Sequence, residues 1–302
     1  MIKNRKIDIK GFVIEGLTLS SALFIIAIII FMLVVIINGG KSAFSWEFLS
    51  TFPREGMTKG GIFPAIYGTA LLVIIMSIAA VPFGTITAIY LTEYAKENSF
   101  FSRSIRFAVR TLAVIPSIIF GLFGLGFFIK FVGVKMDNVF LGGALKWGQP
   151  NVLWASLTMA LLTLPVVIVA VEEALKTIPR ELREASLALG ATKWQTIRRV
   201  VIPGSLSGIM TGTILAVSRG AGEVAPILFT GAAYYLATLP HALSDQFMVL
   251  GYHIYVMTTQ SANVDQTLPI QFGTTCVLLL LTFTLNIFAI ILRYRIRKKK
   301  IN

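Results

Sequence analysis

The sequence is nearly free of the residues that bind metals or form disulfides. Among 302 residues it has one cysteine, Cys276, and two histidines, His241 and His253. A lone cysteine cannot form an intrachain disulfide, and Cys276 lies in an apolar run without candidate metal ligands nearby. The histidines are twelve positions apart, with no carboxylate cluster beside them. A disulfide framework is excluded, and we expect no metal or other cofactor to be bound by this chain.

Acidic residues are also scarce, with 14 Asp and Glu against 27 Lys and Arg. Charged residues make up 14% of the chain and hydrophobic residues 56%, and the mean hydropathy is +0.80. These values exclude an ordinary soluble domain and a disordered chain. A net charge of +13 is also found in nucleic-acid-binding proteins. The placement of the basic residues, given below, explains the charge without a nucleic-acid partner.

Six long apolar runs can each cross a bilayer as a helix. The first is longer than the apolar part of a signal peptide and has no small-residue cleavage pattern after it, so we expect it to stay uncleaved. The predicted fold is an all-α membrane protein with six transmembrane helices. The predicted spans are 16–40, 60–92, 111–129, 148–171, 204–231 and 266–292. The predicted organisation is 1–59 for the N-terminal tail, first span and outer loop, 60–292 for the transmembrane domain, and 293–302 for a basic tail.

Lysine and arginine are distributed unequally between the two sides of these spans. Twenty lie on the side of the two termini and of the segment between the fourth and fifth spans, and six lie on the other side. Because cytoplasmic loops carry the excess of basic residues, both termini and that segment are predicted to be cytoplasmic. The chain is therefore expected to be a multi-pass protein of the cell membrane.

One short run imitates a nucleotide-binding motif. Gly39-Gly40-Lys41-Ser42 has the ending of a P-loop, but Val35 occupies the position where the motif needs its first glycine. The strand–loop–helix context of a P-loop is missing as well. We interpret the run as a turn at the membrane surface, so the chain is predicted to have no nucleotide site of its own.

The segment Thr177–Pro203 is the longest charge-rich, helix-like stretch in the chain, and we call it the docking segment. Pro179 suits the first position of a helix, and Gly190 suits a left-handed helix end. Thr192 and Gln195 have capping-box spacing for a second short helix. One face of the first helix is small and apolar, formed by Leu182, Ala185, Ser186 and Leu189. This pattern is typical of a docking surface, although a solvated, salt-bridged loop would share its charges.

Part of the docking segment resembles the EAA loop of bacterial ABC-importer permeases. That pattern is Glu-Ala-Ala, three residues, Gly, nine residues, then Ile-x-Leu-Pro. Every spacing matches in Glu184-Ala185-Ser186, Gly190 and Val200-Val201-Ile202-Pro203, with conservative changes at 186, 200 and 202.

The resemblance implies the type I ABC-importer permease fold of a prokaryotic membrane, with this segment seated in a groove of a separate ATP-binding subunit. Each of two such subunits would bind ATP and Mg²⁺, so the chain itself would not be an enzyme. Glu184 would orient the coupling helix, while Leu182, Ala185 and Ser186 would fill the groove. Gly190 would allow the turn, and Pro203 closes the motif.

The fifth span contains a charged pair, Arg219 and Glu223. Charges at that depth are costly, so they face a bundle interior or a water-filled path. At i and i+4 they can pair on one helical face. Gly220, Gly222 and Pro226 predict a broken helix, and guanidinium beside loosened backbone donors suits an oxyanion. The alternative is a structural ion pair that joins this span to its neighbours.

Earlier in the fifth span, two glycines in small-xxx-small spacing favour tight helix contact, namely Gly208 and Gly212.

The run Ser218–Pro226 resembles the Arg-x-x-Gly-Glu-Thr-Ala-Pro signature of phosphate-importer permeases of the A type, with Val224 in place of threonine. Residues 60–69, 90–94 and 253–255 are similar to that subunit as well. The resemblance implies that phosphate crosses near Arg219, with Ser218, Gly222 and Glu223 on the substrate path. It also implies a homologous second permease of the C type and an extracytoplasmic phosphate-binding protein.

Three other functions remain open from the residues. An ABC importer of another oxyanion, such as sulfate or molybdate, would use the same arginine and backbone donors. A secondary transporter or channel could use Arg219 and Glu223 as an ion or proton relay without an ATPase. A membrane-embedded enzyme would need clustered catalytic groups at membrane depth, and the sequence offers only this one pair.

Overall fold

The computed structural model describes residues 9–96, 99–261 and 263–298. Within these ranges, six helical segments are long and apolar enough to cross a membrane, which confirms the predicted number and order of spans. Most of the predicted basic N-terminal residues, and residues 299–302 of the predicted tail, lie outside the described ranges. The six spans are Val13–Gly40, Phe63–Tyr94, Ser117–Phe140, Val152–Lys176, Lys193–Ala221 and Val264–Arg295.

The described elements are almost all helices. They are, in chain order, α1 (Ile9–Gly40), α2 (Trp46–Ser50), β1 (Pro53–Arg54), β2 (Lys59–Gly60), α3 (Phe63–Ile89), α4 (Phe100–Val114), α5 (Ser117–Phe123), α6 (Val134–Phe140), α7 (Val152–Lys176), α8 (Arg180–Ala188), α9 (Lys193–Thr196), α10 (Ile202–Ala221), α11 (Ile227–Thr230), α12 (Leu250–Thr259) and α13 (Val264–Lys298). Three π-helical stretches extend or join them: Tyr90–Tyr94, Gly124–Gly133 and Ile197–Val201. The strands β1 and β2 form a small antiparallel hairpin.

The third span differs from its prediction at both ends. Ile115 and Pro116 are extended, and they separate α4 from the span, which starts at Ser117 rather than at 111. Proline cannot supply the helical N–H and pushes the residue before it out of the helical region. The span then continues to Phe140, because the π-helical stretch carries the chain past Lys130. A single lysine was wrongly interpreted as the start of a loop.

The observed span bounds also change the count of basic residues. Lys130 and Lys135 lie inside the third span, so the outer connections hold four basic residues: Lys41, Arg54, Lys59 and Lys146. By the same rule, fourteen of the twenty on the other side remain outside the spans, because six lie within span bounds: Lys176, Lys193, Arg198, Arg199, Arg293 and Arg295. The excess of basic residues stays on the side predicted to be cytoplasmic.

The fourth span also starts and ends later than predicted. The Asn151 side chain caps α7 by accepting a hydrogen bond from the Trp154 amide at 2.9 Å. At the other end α7 continues through Glu172 to Lys176, because the Glu172 carboxylate is paired with Arg106 at 3.0 Å and does not end the helix.

The core lies where α3, α7 and α10 pack against one another, and α7 is the most buried of the spans. Small residues let α10 approach α7, as predicted. A Cβ added to Gly212 would lie 2.2 Å from the Cβ of Ala170, and one added to Gly208 would lie 2.7 Å from that of Ala174. No larger residue fits either position without moving a helix.

The first span stands apart from this core. Within Val13–Gly40 the only residues that are not exposed are Leu33, Ile36, Gly39 and Gly40, at its outer end. There a Cβ on Gly40 would lie 2.8 Å from the amide nitrogen of Gly273 in α13. The predicted turn follows at residues 41–43.

At the other terminus, α13 runs unbroken through the predicted boundary at 292 as far as Lys298.

Candidate functional site

The docking segment folds as one short helix and the start of a long one, because α9 continues through Ile197–Val201 into α10 within the fifth span and does not end before residue 204 as predicted. The first, α8, begins at Arg180, one residue later than predicted. Pro179 is its N-cap, because a ψ of 144° keeps its backbone extended. The second, α9, has the predicted capping box. The Thr192 hydroxyl accepts from the Gln195 amide at 3.3 Å, and the Gln195 side chain accepts from the Thr192 amide at 2.8 Å.

Gly190 forms the turn between these helices. Its φ of +81° is in the left-handed region, as predicted. The Gly190 amide donates to the carbonyl of Leu187 at 3.0 Å, and the Ala191 amide donates to that of Ser186 at 3.3 Å. These two bonds make up the Schellman motif, which satisfies two carbonyls at the end of α8. No atom lies within 4 Å of where a Gly190 Cβ would stand, so backbone conformation, and not lack of space, favours glycine here.

The predicted apolar face of α8 divides into two parts. Leu182 and Leu189 are 51% and 89% exposed, and Ala185 is exposed between them. Ser186 instead turns inward, and its hydroxyl lies 2.9 Å from that of Thr196 in α9. A folded chain that leaves leucines of a short helix uncovered favours a docking surface over a solvated loop.

Arg183 anchors the docking segment to the second span. Its guanidinium donates to the Glu93 carboxylate at 2.8 Å and to the Leu175 carbonyl at 2.9 Å. The two side chains are 19% and 8% exposed, so the pair is largely buried. Sequence reasoning missed this pair, because nothing in the spacing of Arg183 indicates a partner ninety residues away. Glu184, expected to orient the helix, is exposed and makes no side-chain hydrogen bond or ion pair within the described part of the chain.

A second ion pair lies behind the docking segment. Arg106 of α4 pairs with Glu172 of α7 at 3.0 Å, and it also donates to the Leu91 carbonyl at 3.0 Å. A cavity of about 520 Å³ separates α4 and the end of the second span from the docking segment. Arg183 therefore joins α8 to the second and fourth spans, and this cavity lies beside those contacts.

The Arg183–Glu93 pair is expected to stabilise the assembled fold strongly. Arg183→Met or Glu93→Gln alone leaves one largely buried charge unpaired, which costs roughly 3 kcal/mol. The double variant should recover part of that loss, because neither charge remains. Chemical denaturation in detergent measures the stability of the two purified single variants and of the double variant.

The exposed pair Lys176–Glu173 provides the matched control. Its side chains are 51% and 65% exposed, so Lys176→Met should change stability by less than about 1 kcal/mol. Additive losses in the double variant would show that Arg183 and Glu93 are not coupled.

The fifth span breaks where predicted. Helix α10 ends at Ala221, residues 222–226 are not helical, and α11 restarts at Ile227. The amides of Gly222 and Glu223 fold back onto the carbonyls of Arg219 and Gly220 at 3.4 and 3.2 Å. Within the described residues, the amides of Val224 and Ala225 have no hydrogen-bond partner.

The predicted pairing of Arg219 with Glu223 is wrong. Among the residues that the structure describes, no ion pair within 4.0 Å joins them. The helix ends at Ala221, so Glu223 does not lie one turn above Arg219 on a common face. Arg219 is exposed and Glu223 is half-buried. Arg219 is thus exposed at the end of α10, with no ion pair among the described residues, and the two unused amide donors follow it in the break.

The other two residues predicted on the substrate path behave differently from each other. Gly222 is exposed at the break, close to Arg219. The Ser218 hydroxyl instead donates to the Ile214 carbonyl at 2.6 Å and contacts the side-chain oxygen of Asn286 in α13. The structure therefore groups Arg219, Gly222 and Glu223 at the break and turns Ser218 toward α13.

Helix α12, which lies outside the six spans, packs against the break. A Cβ on Gly251 would lie 2.7 Å from Val224, and the Leu250 amide donates to the Thr69 hydroxyl of α3 at 2.9 Å. His253, one turn further on, is 2% exposed, and its Nδ1 has no hydrogen-bond partner. Burial lowers the pKa of His253 to about 4. In the described ranges no three His, Cys, Asp or Glu side chains are grouped as a metal site.

His253 should make the stability of the protein fall in mild acid. Its pKa is about 4 in the folded state against 6.5 when unfolded, so the unfolded chain takes up a proton first. Stability is then complete above about pH 6.5 and declines toward pH 4, by about 2 kcal/mol at pH 5. The melting temperature should change less between pH 7 and pH 5 for His253→Leu than for wild type. His241→Leu, at an exposed histidine, is the control and should keep the wild-type slope.

Comparison with known proteins identifies the family. Residues 80–301 match the family described as "Binding-protein-dependent transport system inner membrane component". The "Probable ABC transporter permease protein YqgI" of Bacillus subtilis (strain 168) is 30% identical, with 98% of each chain covered. The "Phosphate transport system permease protein PstA 1" of Mycobacterium tuberculosis (strain CDC 1551 / Oshkosh) is 37% identical over 68% of this chain and 64% of that protein.

Solved structures share the fold. A bacterial ABC transporter involved in import of the acidic polysaccharide alginate superposes with a TM-score of 0.64, covering 95% of this chain and 96% of that chain at 17% identity. An inward-facing MetNI methionine ABC transporter superposes with a TM-score of 0.59, covering 77% of this chain and 94% of that chain at 18% identity. At these identities the likeness concerns the fold alone, which is that of the type I ABC-importer permeases. Together with the family match, these findings show that the chain belongs to the inner-membrane permease components of binding-protein-dependent ABC importers.

Proposed function

We propose that this chain is the A-type permease subunit of an ATP-driven importer of inorganic phosphate and forms half of the translocation path. The observation that carries the proposal is the break in the fifth span. Arg219 is exposed at the end of α10 and has no ion pair with Glu223, and the unpartnered amides of Val224 and Ala225 follow it in the break. A guanidinium fork and backbone N–H groups are the donors that a tetrahedral oxyanion requires. Gly222 gives the backbone room, and Glu223 disfavours anion binding once the path closes.

Coupling to ATP follows from the docking segment. A dimer of ATP-binding subunits, which holds ATP and Mg²⁺, docks on Thr177–Pro203 through the exposed Leu182 and Ala185. Movement of α8 then pulls on Glu93 through Arg183 and rocks the spans between inward- and outward-open states. A homologous C-type permease completes the path, and an extracytoplasmic phosphate-binding protein delivers the anion. The excess of basic residues on the docking side makes that side, and both termini, cytoplasmic.

Phosphate as the cargo rests on the run Ser218–Pro226 and on relatives named as phosphate transport permeases, such as PstA of Yersinia pestis at 38% identity over 61% of this chain. The same donors would bind sulfate or molybdate, and this is the second candidate. A secondary transporter is disfavoured because the uncovered leucines of α8 need a partner subunit.

Uptake of radiolabelled phosphate tests the proposal. Cells that lack the gene are complemented with the wild-type chain, and its amount in the membrane is measured. We expect energy-dependent uptake that unlabelled phosphate abolishes and that sulfate and molybdate leave unchanged. Competition by sulfate or molybdate would reassign the cargo. Uptake that persists without any co-purifying ATPase would overturn the ABC mechanism.

A further inference from the structure

Helix α4 is held to the bundle by one face. Arg106, on that face, pairs with Glu172 at 3.0 Å and donates to the Leu91 carbonyl at 3.0 Å. Ser102 and Val109 are buried on the same side. These contacts hold α4 against the ends of the second and fourth spans. The ion pair also neutralises the charge of Arg106 within the protein.

The opposite face of α4 is apolar and uncovered. Phe100, Phe107 and Val114 are 82%, 72% and 83% exposed, and Phe101 is 59% exposed. A helix of fifteen residues that exposes three phenylalanines in water would form an aggregation-prone patch. In a protein that spans a membrane, such a face meets either lipid or another subunit.

The edge of this face is basic. Arg103 and Arg110 are exposed, seven residues apart, so they lie on the same side of α4 two turns from each other. Two arginines are too costly to bury in the hydrocarbon region, and the phenylalanines are unsuited to water. A helix with both features fits the boundary between headgroups and acyl chains.

Neighbouring groups place α4 at that boundary. Phe101 packs edge-to-face on Tyr90, at the end of the second span, with the ring centroids 6.2 Å apart. Tyrosine is enriched at the membrane–water interface. At the other end of α4, the extended pair Ile115–Pro116 lets the chain turn and enter the third span at Ser117. The exposed face of α4 thus continues into the exposed apolar surface of that span, at Ile118 and Ile119.

We infer that the outer face of α4 binds anionic phospholipid. The phenylalanines insert among the acyl chains near the headgroups, and Arg110 contacts the headgroup phosphates. Since Arg106 of the same helix lines the cavity behind the docking segment, the bound lipid touches the element that borders the coupling machinery. The inference goes beyond the proposed function. Only the leaflet in which this lipid lies, the cytoplasmic one, rests on the orientation proposed above.

Spin labelling measures where α4 lies. The full chain, with the subunits that co-purify with it, is placed in nanodiscs after Cys276→Ser, and a label is attached at Phe107→Cys. Control labels are attached at Leu122→Cys, exposed within the third span, and at Lys146→Cys, exposed in the outer loop. We expect the Phe107 label to collide with oxygen more than the Lys146 label does, and with a water-soluble nickel chelate more than the Leu122 label does. Protection from both reagents would show that a protein subunit covers this face. Full exposure to the nickel chelate would show that it lies in water, and either result would overturn the inference.

Native mass spectrometry measures the lipid charge preference. The complex is titrated with phosphatidylglycerol and phosphatidylcholine in detergent. We expect wild type to retain phosphatidylglycerol preferentially. Arg110→Gln should reduce that preference about fivefold, the contribution of one basic residue near an anionic surface. Arg180→Gln, at an exposed arginine of the docking segment, should leave the preference unchanged. An equal loss of phosphatidylglycerol preference in both variants would indicate a nonspecific charge effect and would contradict the headgroup contact. Because neither readout uses transport, failure here is distinguishable from failure of the phosphate assignment.

Discussion

Gly190→Val is expected to detach the ATP-binding subunits and to reduce ATP-dependent uptake at least about tenfold. The φ of Gly190 is +81°, a conformation that costs a residue with a Cβ about 1–3 kcal/mol and a β-branched residue more. Valine would therefore shift φ and break the bonds from the Gly190 and Ala191 amides that end α8. The turn would open, and α8 and α9 would no longer present one surface. Co-purification of the ATPase and its stimulated hydrolysis measure the effect.

The chain offers a close control for this change. Gly142, in the outer loop, has a φ of +59° and, like Gly190, no atom within 4 Å of an added Cβ. Gly142→Val imposes the same kind of backbone strain on the other side of the membrane and should leave ATPase binding intact. Gly190→Asn should retain most of the activity, because asparagine tolerates the left-handed region. Undiminished ATPase binding by Gly190→Val would remove the docking segment from the coupling mechanism.

Arg219→Gln is expected to lower phosphate uptake roughly 10- to 100-fold at equal membrane abundance. A hydrogen bond to a charged group contributes about 1.5–3 kcal/mol, and glutamine retains the polarity but not the charge or the fork of donors. Because Arg219 has no ion pair with Glu223 within the described residues, its removal leaves no buried carboxylate unpaired. The loss should therefore appear in transport and not in folding. Initial uptake rates over a range of phosphate concentrations measure it.

Lys130 provides the comparison for Arg219. It is also a cation within a span, and it is exposed in the third span, away from the break. Lys130→Gln should transport at nearly the wild-type rate. If Arg219→Gln behaves like Lys130→Gln, the arginine is structural and the anion crosses elsewhere.

The features that sequence predicted well are those that depend on neighbouring residues. Long apolar runs fixed the count and order of the six spans, because a bilayer demands uninterrupted apolar helix. Gly190 was predicted as a left-handed turn, and Thr192 as a cap, because both depend on a few adjacent residues. The break after Ala221 followed from glycine and proline in the same way.

The features that sequence did not predict depend on distant residues. Arg183 and Glu93 are neighbours only because the docking segment packs under the end of the second span, and no local pattern indicates that pairing. The third span was misplaced because Lys130 looked like a boundary, although a π-helical stretch carries it within the helix. Arg219 and Glu223 had the spacing of a helical pair, but the helix ends between them. The assignment of the break to the substrate path stays a prediction.

The anchors of Arg183 have a consequence for how the protein is made. Its partners are Glu93 and the carbonyls of Leu175, Ile178 and Pro179, all of which precede it in the chain. A ribosome thus synthesises Arg183 and each of these partners before it reaches α10. The anchoring of Arg183 therefore requires no residue of α10 or α13 and can form before either helix is synthesised.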